Sequence, residues 1–137
     1  MLDKQTLIDK HLSNLVYLAK IDDHFDQTEK DLVYKIGFKS GLNAKQIDQL
    51  IDRAEDIDIV VPDNEEDQFE YLFNVVQMMM IDGKLYQKEL DYCVEVAIRL
   101  GFKKIIVTVL IRAIEDGLKL GLDVDSIKRE AFDLIAE

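Results

Sequence analysis

The chain is predicted to be all-α: a bundle of roughly seven helices built from two pseudo-twofold helical-hairpin repeats. Three observations predict it. Apolar residues recur at spacings of three and four over most of the length, the period of a helix rather than of a strand. Only one Pro and six Gly occur in 137 residues, too few turn-formers for an all-β fold. A shift of 60 residues lays 11–42 on 71–102 without a gap and with nine identities, where chance gives about two or three.

The elements follow in order. Ile8, Leu12, Leu15 and Ala19 form a first stripe, on a helix over 4–22. Leu32, Val33, Ile36 and Gly37 form a second, over 27–40, and a short helix over 44–54 follows Gly41-Leu42-Asn43. The segment Glu55 to Asp67, "EDIDIVVPDNEED", interrupts the pattern with Pro62 and dense charge, and Asp63 or Asn64 caps the next helix. Phe69, Leu72, Phe73, Val76 and Met80 stripe that helix over 64–82, and Leu90, Cys93, Val94, Ala97 and Ile98 stripe one over 87–100. Ile105, Ile106, Val109, Leu110 and Ala113 do so over 103–120, and Ile127, Ala131, Phe132 and Ile135 over 124–136. Gly41, Gly101 and Gly121 fall where helices should stop.

The duplication is written in Leu12/Leu72, Asn14/Asn74, Val16/Val76, Ile21/Ile81, Asp22/Asp82, Gln27/Gln87, Glu29/Glu89, Asp31/Asp91 and Gly41/Gly101. It makes internal repeats of about 11–51 and 71–111 within a single domain of 1–137. One helical hairpin exposes much of its apolar surface, so two copies are expected to close over a shared core. Gly37 and Ala97 match, as a close helix crossing requires.

Charge narrows the function classes. Seventeen basic residues against 28 acidic give a formal charge of -11. Such a surface repels phosphate backbones and anionic headgroups, which argues against nucleic acid and membrane and leaves cations or basic protein surfaces. No apolar run is long enough to span a bilayer and no signal-peptide core opens the chain, so a cytoplasmic location is expected. Cys93 is the only cysteine and reads as a small core residue. Met78-Met79-Met80 reads as core packing rather than as an adaptable binding surface.

The candidate chemistry lies in two acidic turns, "IDDHFDQTE" (Ile21 to Glu29) and "IDGKLYQKE" (Ile81 to Glu89). Neither has the twelve-residue ligand pattern of an EF-hand. As helix punctuation, Gly83 and Asp23 suit a left-handed terminus, Asp26 with Glu29 forms a capping box, and Glu29 and Glu89 favour the positive end of a helix dipole. As ligands, Asp22, Asp23, Asp26 and Glu29 in the first turn, with Asp82 and Glu89 in the second, offer carboxylates to a divalent cation. Both readings stay open. His11 and His24, the only histidines, fit neither a di-iron motif nor a catalytic triad, and no phosphate-binding glycine loop occurs. No enzyme is expected. An unknown protein partner, or self-association, is the alternative use of such a bundle.

The two segments "LAKIDDHFDQTEKDLVYKIGFKSGL" (Leu18 to Leu42) and "MMMIDGKLYQKELDYCVEVAIRLGF" (Met78 to Phe102) resemble the TerB-like family. That family includes tellurite-resistance TerB proteins and the N-terminal region of DjlA-type co-chaperones. Its phrase is an apolar helix, Ala/Ile-Asp-Gly, a hydrophobe, a Glu, then a helix ending in Leu-Gly. The resemblance implies a bundle of about seven helices, a role in stress resistance, and metal binding at an acidic surface. By position that surface falls on Asp22, Glu29, Asp82 and Glu89. Asp23 stands where the family has Gly, and Tyr86 where a polar cap is common. The J-domain tripeptide His-Pro-Asp is absent from the chain.

Overall fold

Seven α-helices account for almost all of the described residues, and no strand occurs among them. A computed structural model describes residues 4–21, 27–53, 61–81 and 87–136. The helices are α1 (Lys4–Ile21), α2 (Gln27–Lys39), α3 (Ala44–Arg53), α4 (Glu65–Met79), α5 (Gln87–Arg99), α6 (Lys104–Lys119) and α7 (Val124–Ala136). They divide into two compact units, Met1–Val60 and Val61–Glu137.

In the first unit α1, α2 and α3 pack pairwise against one another. Leu12, Leu15, Val16, Val33, Ile36, Ile47 and Leu50 are buried, so the first two stripes face inward as their spacing demands. Polar bonds tie the third helix in. Lys20 Nζ donates to the Ile51 carbonyl oxygen at 2.6 Å, and the Tyr34 hydroxyl donates to Asp48. That bond, reinforced by the Asp48 charge, raises the Tyr34 pKa.

In the second unit α4 packs on α5 and α6, α5 on α6, and α6 on α7. α4 is buried nearly all round, through Phe69, Tyr71, Leu72, Phe73, Val75, Val76 and Met78 to Met80. The methionine run is therefore core. Phe132 of α7 sets its ring 5.3 Å from that of Phe69, and Lys128 reaches Glu70 at 3.3 Å.

The helix ends show one device three times. After α2, Leu42 N–H donates to the Gly37 carbonyl (3.0 Å) and Gly41 N–H to Phe38 (3.1 Å). The same pair of bonds follows α5, from Phe102 and Gly101, and α6, from Leu122 and Gly121. This is the Schellman motif, whose left-handed residue is Gly41, Gly101 or Gly121, with φ of 96°, 102° and 74°. Each corner then starts the next helix three residues after its glycine. Asn43 and Gln46 exchange bonds at the head of α3, the Asn43 carboxamide accepting from Gln46 N–H at 2.8 Å and Gln46 accepting from Asn43 N–H at 2.9 Å. Asp123 accepts from Ser126 N–H at the head of α7, and Asn64, one of the two expected caps, from Asp67 N–H at the head of α4.

Two of these corners are closed by a glycine under an isoleucine. A Cβ on Gly37 would lie 2.6 Å from Ile47 Cδ1, and one on Gly117 would lie 2.4 Å from Ile127 Cγ1. The spacing is ten residues in both, and Ala97 with buried Val107 repeats it at the middle corner. The 60-residue shift relates the corners after α2 and α5 but does not reach the corner at 117–127. The outer faces of α2 and α5 also carry the same bond, Gln27 Nε2 to Asp31 and Gln87 Nε2 to Asp91, each at 2.8 Å.

Two stripes differ from the spacing-based expectation. On α6 the inward residues are Val107, Leu110, Ile111, Ile114 and Gly117, whereas Ile105 and Val109 are exposed. On α5 they are Cys93, Val96 and Ala97, and Ile98 is exposed. The physical reason on α6 is Gly117: the face that reaches Ile127 of α7 must carry the glycine, and this fixes the rotation of the whole helix.

Candidate functional site

Four of the six carboxylates expected in the acidic turns, Asp22, Asp23, Asp26 and Asp82, lie outside the described residues. The other two are described. Glu29 stands in the first turn of α2 and is 6% exposed, and Glu89 stands half-buried in the first turn of α5. Both sit where a helix dipole favours negative charge. A buried carboxylate is costly unless it is bonded or paired, so Glu29 is an anchored group rather than a solvated one. Among the described residues no group of three or more His, Cys, Asp or Glu side chains converges as a metal site would require.

Among the described residues, the thiol of Cys93 and the imidazole of His11 are held in unreactive states. Burial, aided by the Glu89 charge, pushes the Cys93 thiol up to about 12, so it stays protonated at neutral pH. Burial lowers His11 to about 3, so its imidazole stays neutral. Glu115, buried on α6, takes charge from Arg112 at 2.7 Å and Lys119 at 3.5 Å, a cluster internal to one helix face. Gln49, Asp52 and Arg53 line a shallow, open depression on α3.

The feature that spacing did not separate from the core is the corner between α5 and α6. Ile98, next to last in α5, is 42% exposed, and Ile105 and Val109 stand one turn apart on α6 at 86% and 46%. Large aliphatic side chains at spacing four on an outer helix face form a ridge that another helix can pack against. A rotation test on the sequence would have found it. The series 107, 110, 111, 114 and 117 stays small or apolar to the end of α6, while the series from Ile105 and Val109 runs on into Arg112 and Asp116.

No helix of the described residues is long and apolar enough to cross a membrane. Comparison with protein families, characterised proteins and solved structures yields no match.

Proposed function

We propose that the chain is a non-enzymatic, cytoplasmic, TerB-like domain of a stress response that works by holding a protein partner. The observation that carries this reading is the exposed pair Ile105 and Val109 on α6, in a molecule whose other stripes are mostly buried. Apolar residues clustered on an outer face, rather than scattered singly, mark contact surfaces. The inert states of Cys93 and His11 support binding over catalysis, because acid–base and nucleophilic work need groups poised near the operating pH. The family resemblance supplies the stress-response part. The shared corners after α2 and α5 and the matched Gln–Asp bonds support an origin of the two hairpins by duplication.

The test compares recovery of bound protein from cells by the wild-type chain and by Ile105→Ser/Val109→Ser. Both positions are exposed, so the variant should keep the wild-type melting temperature. Loss of one dominant bound protein is the expected result, and equal recovery by both chains overturns the reading.

A second reading keeps the acidic turns as cation sites. Buried Glu29 favours it, because it stands three residues after Asp26 and shortly after Asp22 and Asp23. Calorimetric titration with calcium, magnesium and zinc should then show uptake that Asp22→Asn and Asp82→Asn weaken. Equal weak uptake by all three chains leaves the turns as helix caps.

A further inference from the structure

We propose that the α5–α6 corner and the outer face of α6 form a docking surface for an acidic amphipathic helix of a partner protein. This rests on the reading of the chain as a binding domain and names the chemistry of its partner. The apolar half of the surface is Ile98, Ile105 and Val109. The charged half is unlike the rest of the molecule. In a chain with 28 acidic residues, the stretch from Val96 to Ile114 contains none, and it carries Arg99, Lys103, Lys104 and Arg112. Arg99 and Arg112 are taken up by Glu95 and Glu115, each at 2.7 Å. Lys103 and Lys104 are exposed and have no ion-pair partner among the described residues.

These two lysines stand at an electrostatically unfavourable place. Lys103 is the N-cap of α6 and makes no side-chain cap bond, and the first turn holds no acidic residue. The positive end of the helix dipole therefore adds to two ammonium charges. A partner carboxylate at this end would pair with the lysines and face the N–H groups of Lys104 and Ile105, which precede the first bonded N–H of the turn, that of Ile106. Further along its own helix, apolar residues at spacings of three and four would cover Ile105 and Val109.

The alternatives fit less well. A bilayer is a plane of charge, and it would also meet Asp91 and Glu95 on the exposed face of α5 and Asp116 on that of α6. A short helix about 10 Å wide can cover the N-terminal half of α6, from Lys103 to Val109, and stop before Asp116. A second copy docked two-fold through α6 with Lys104 opposite Asp116 would set Val109 opposite buried Ile111 and Ile105 opposite buried Glu115, so the exposed apolar pair would meet no exposed apolar side chain of the other copy. At physiological salt the screening length of about 8 Å lets the local lysines outweigh the distant net charge of -11.

The experiment pans the full chain against displayed random 16-residue peptides, with depletion on Ile105→Ser/Val109→Ser. The expected winners carry Asp or Glu toward one end and apolar residues at helical spacing. They should bind the depleting variant about tenfold more weakly, as contact anchors do. Lys103→Glu/Lys104→Glu should weaken them about tenfold as well and remove most of their salt dependence. Basic or uncharged winners on the same face would overturn the acidic assignment while leaving the binding-domain reading intact. Winners indifferent to both variants would overturn both. Binding to phosphatidylserine vesicles in place of peptides, or concentration-dependent dimerisation abolished by Ile105→Ser, would overturn the proposal in favour of a lipid or a second copy.

Discussion

A methyl group added at Gly117 would sit 2.4 Å from Cγ1 and 2.8 Å from Cδ1 of Ile127, a side chain buried at the α6–α7 contact. The atom met first is the branched stem of isoleucine, which cannot swing away as a chain terminus could. Gly117→Ala should therefore destabilise by about 1–2 kcal/mol in urea unfolding, even though alanine is the better helix former by about 1 kcal/mol. In Gly117→Ala/Ile127→Ala the two costs should sum to less than the separate effects, because the clash is gone. His11 gives a second residue-scale expectation. Its folded pKa is depressed to about 3 against an ordinary 6.5, so below pH 6.5 the unfolded chain takes up a proton that the folded chain refuses. The stability tied to neutral His11 is complete above pH 6.5 and is lost as pH falls from there toward 3, at a slope of at most about 1.4 kcal/mol per pH unit. His11→Leu should flatten that part of the stability profile; an unchanged slope would refute the assignment to His11.

At the scale of elements, the corners organise each unit. The head of α3 is held by the reciprocal Asn43–Gln46 bonds, and Asn43→Ala should cost about 1 kcal/mol with helix loss concentrated in α3 by hydrogen exchange. Helix number and boundaries were legible in the sequence because Gly41, Gly101 and Gly121 end helices by a local rule that needs no tertiary knowledge. The inward face of α6 was not legible in the same way. Ile105, Ile106, Val107, Val109, Leu110 and Ile111 offer apolar residues to two rotations of one helix. Periodicity over 105–111 alone does not choose between them; following each series to 117 does, and the contact of Gly117 with Ile127 gives the physical reason. The corner at 117–127 escaped the 60-residue comparison because it repeats at a different offset.

The molecule as a whole is governed by its charge. At -11 the folded chain repels itself more than the expanded one does, so screening should stabilise it. Raising NaCl from 0.05 to 0.5 M (roughly a threefold shorter screening length) should lift the melting temperature by about 2 °C or more, and a flat response would argue that the charges are locally compensated. The same salt should weaken peptide binding at α6, so stability and affinity should move in opposite directions. The two candidate surfaces differed in legibility for a related reason. Acid-rich turns stand out by composition, although most of their carboxylates lie outside the described residues, whereas Ile105 and Val109 look like core until their series is followed into Arg112 and Asp116. Cys93 offers one more use. With its thiol buried in the second unit and held near 12, alkylating reagents reach it only when that unit opens. Its labelling rate is thus a built-in clock for opening of the Val61–Glu137 unit, readable by mass without any engineered probe.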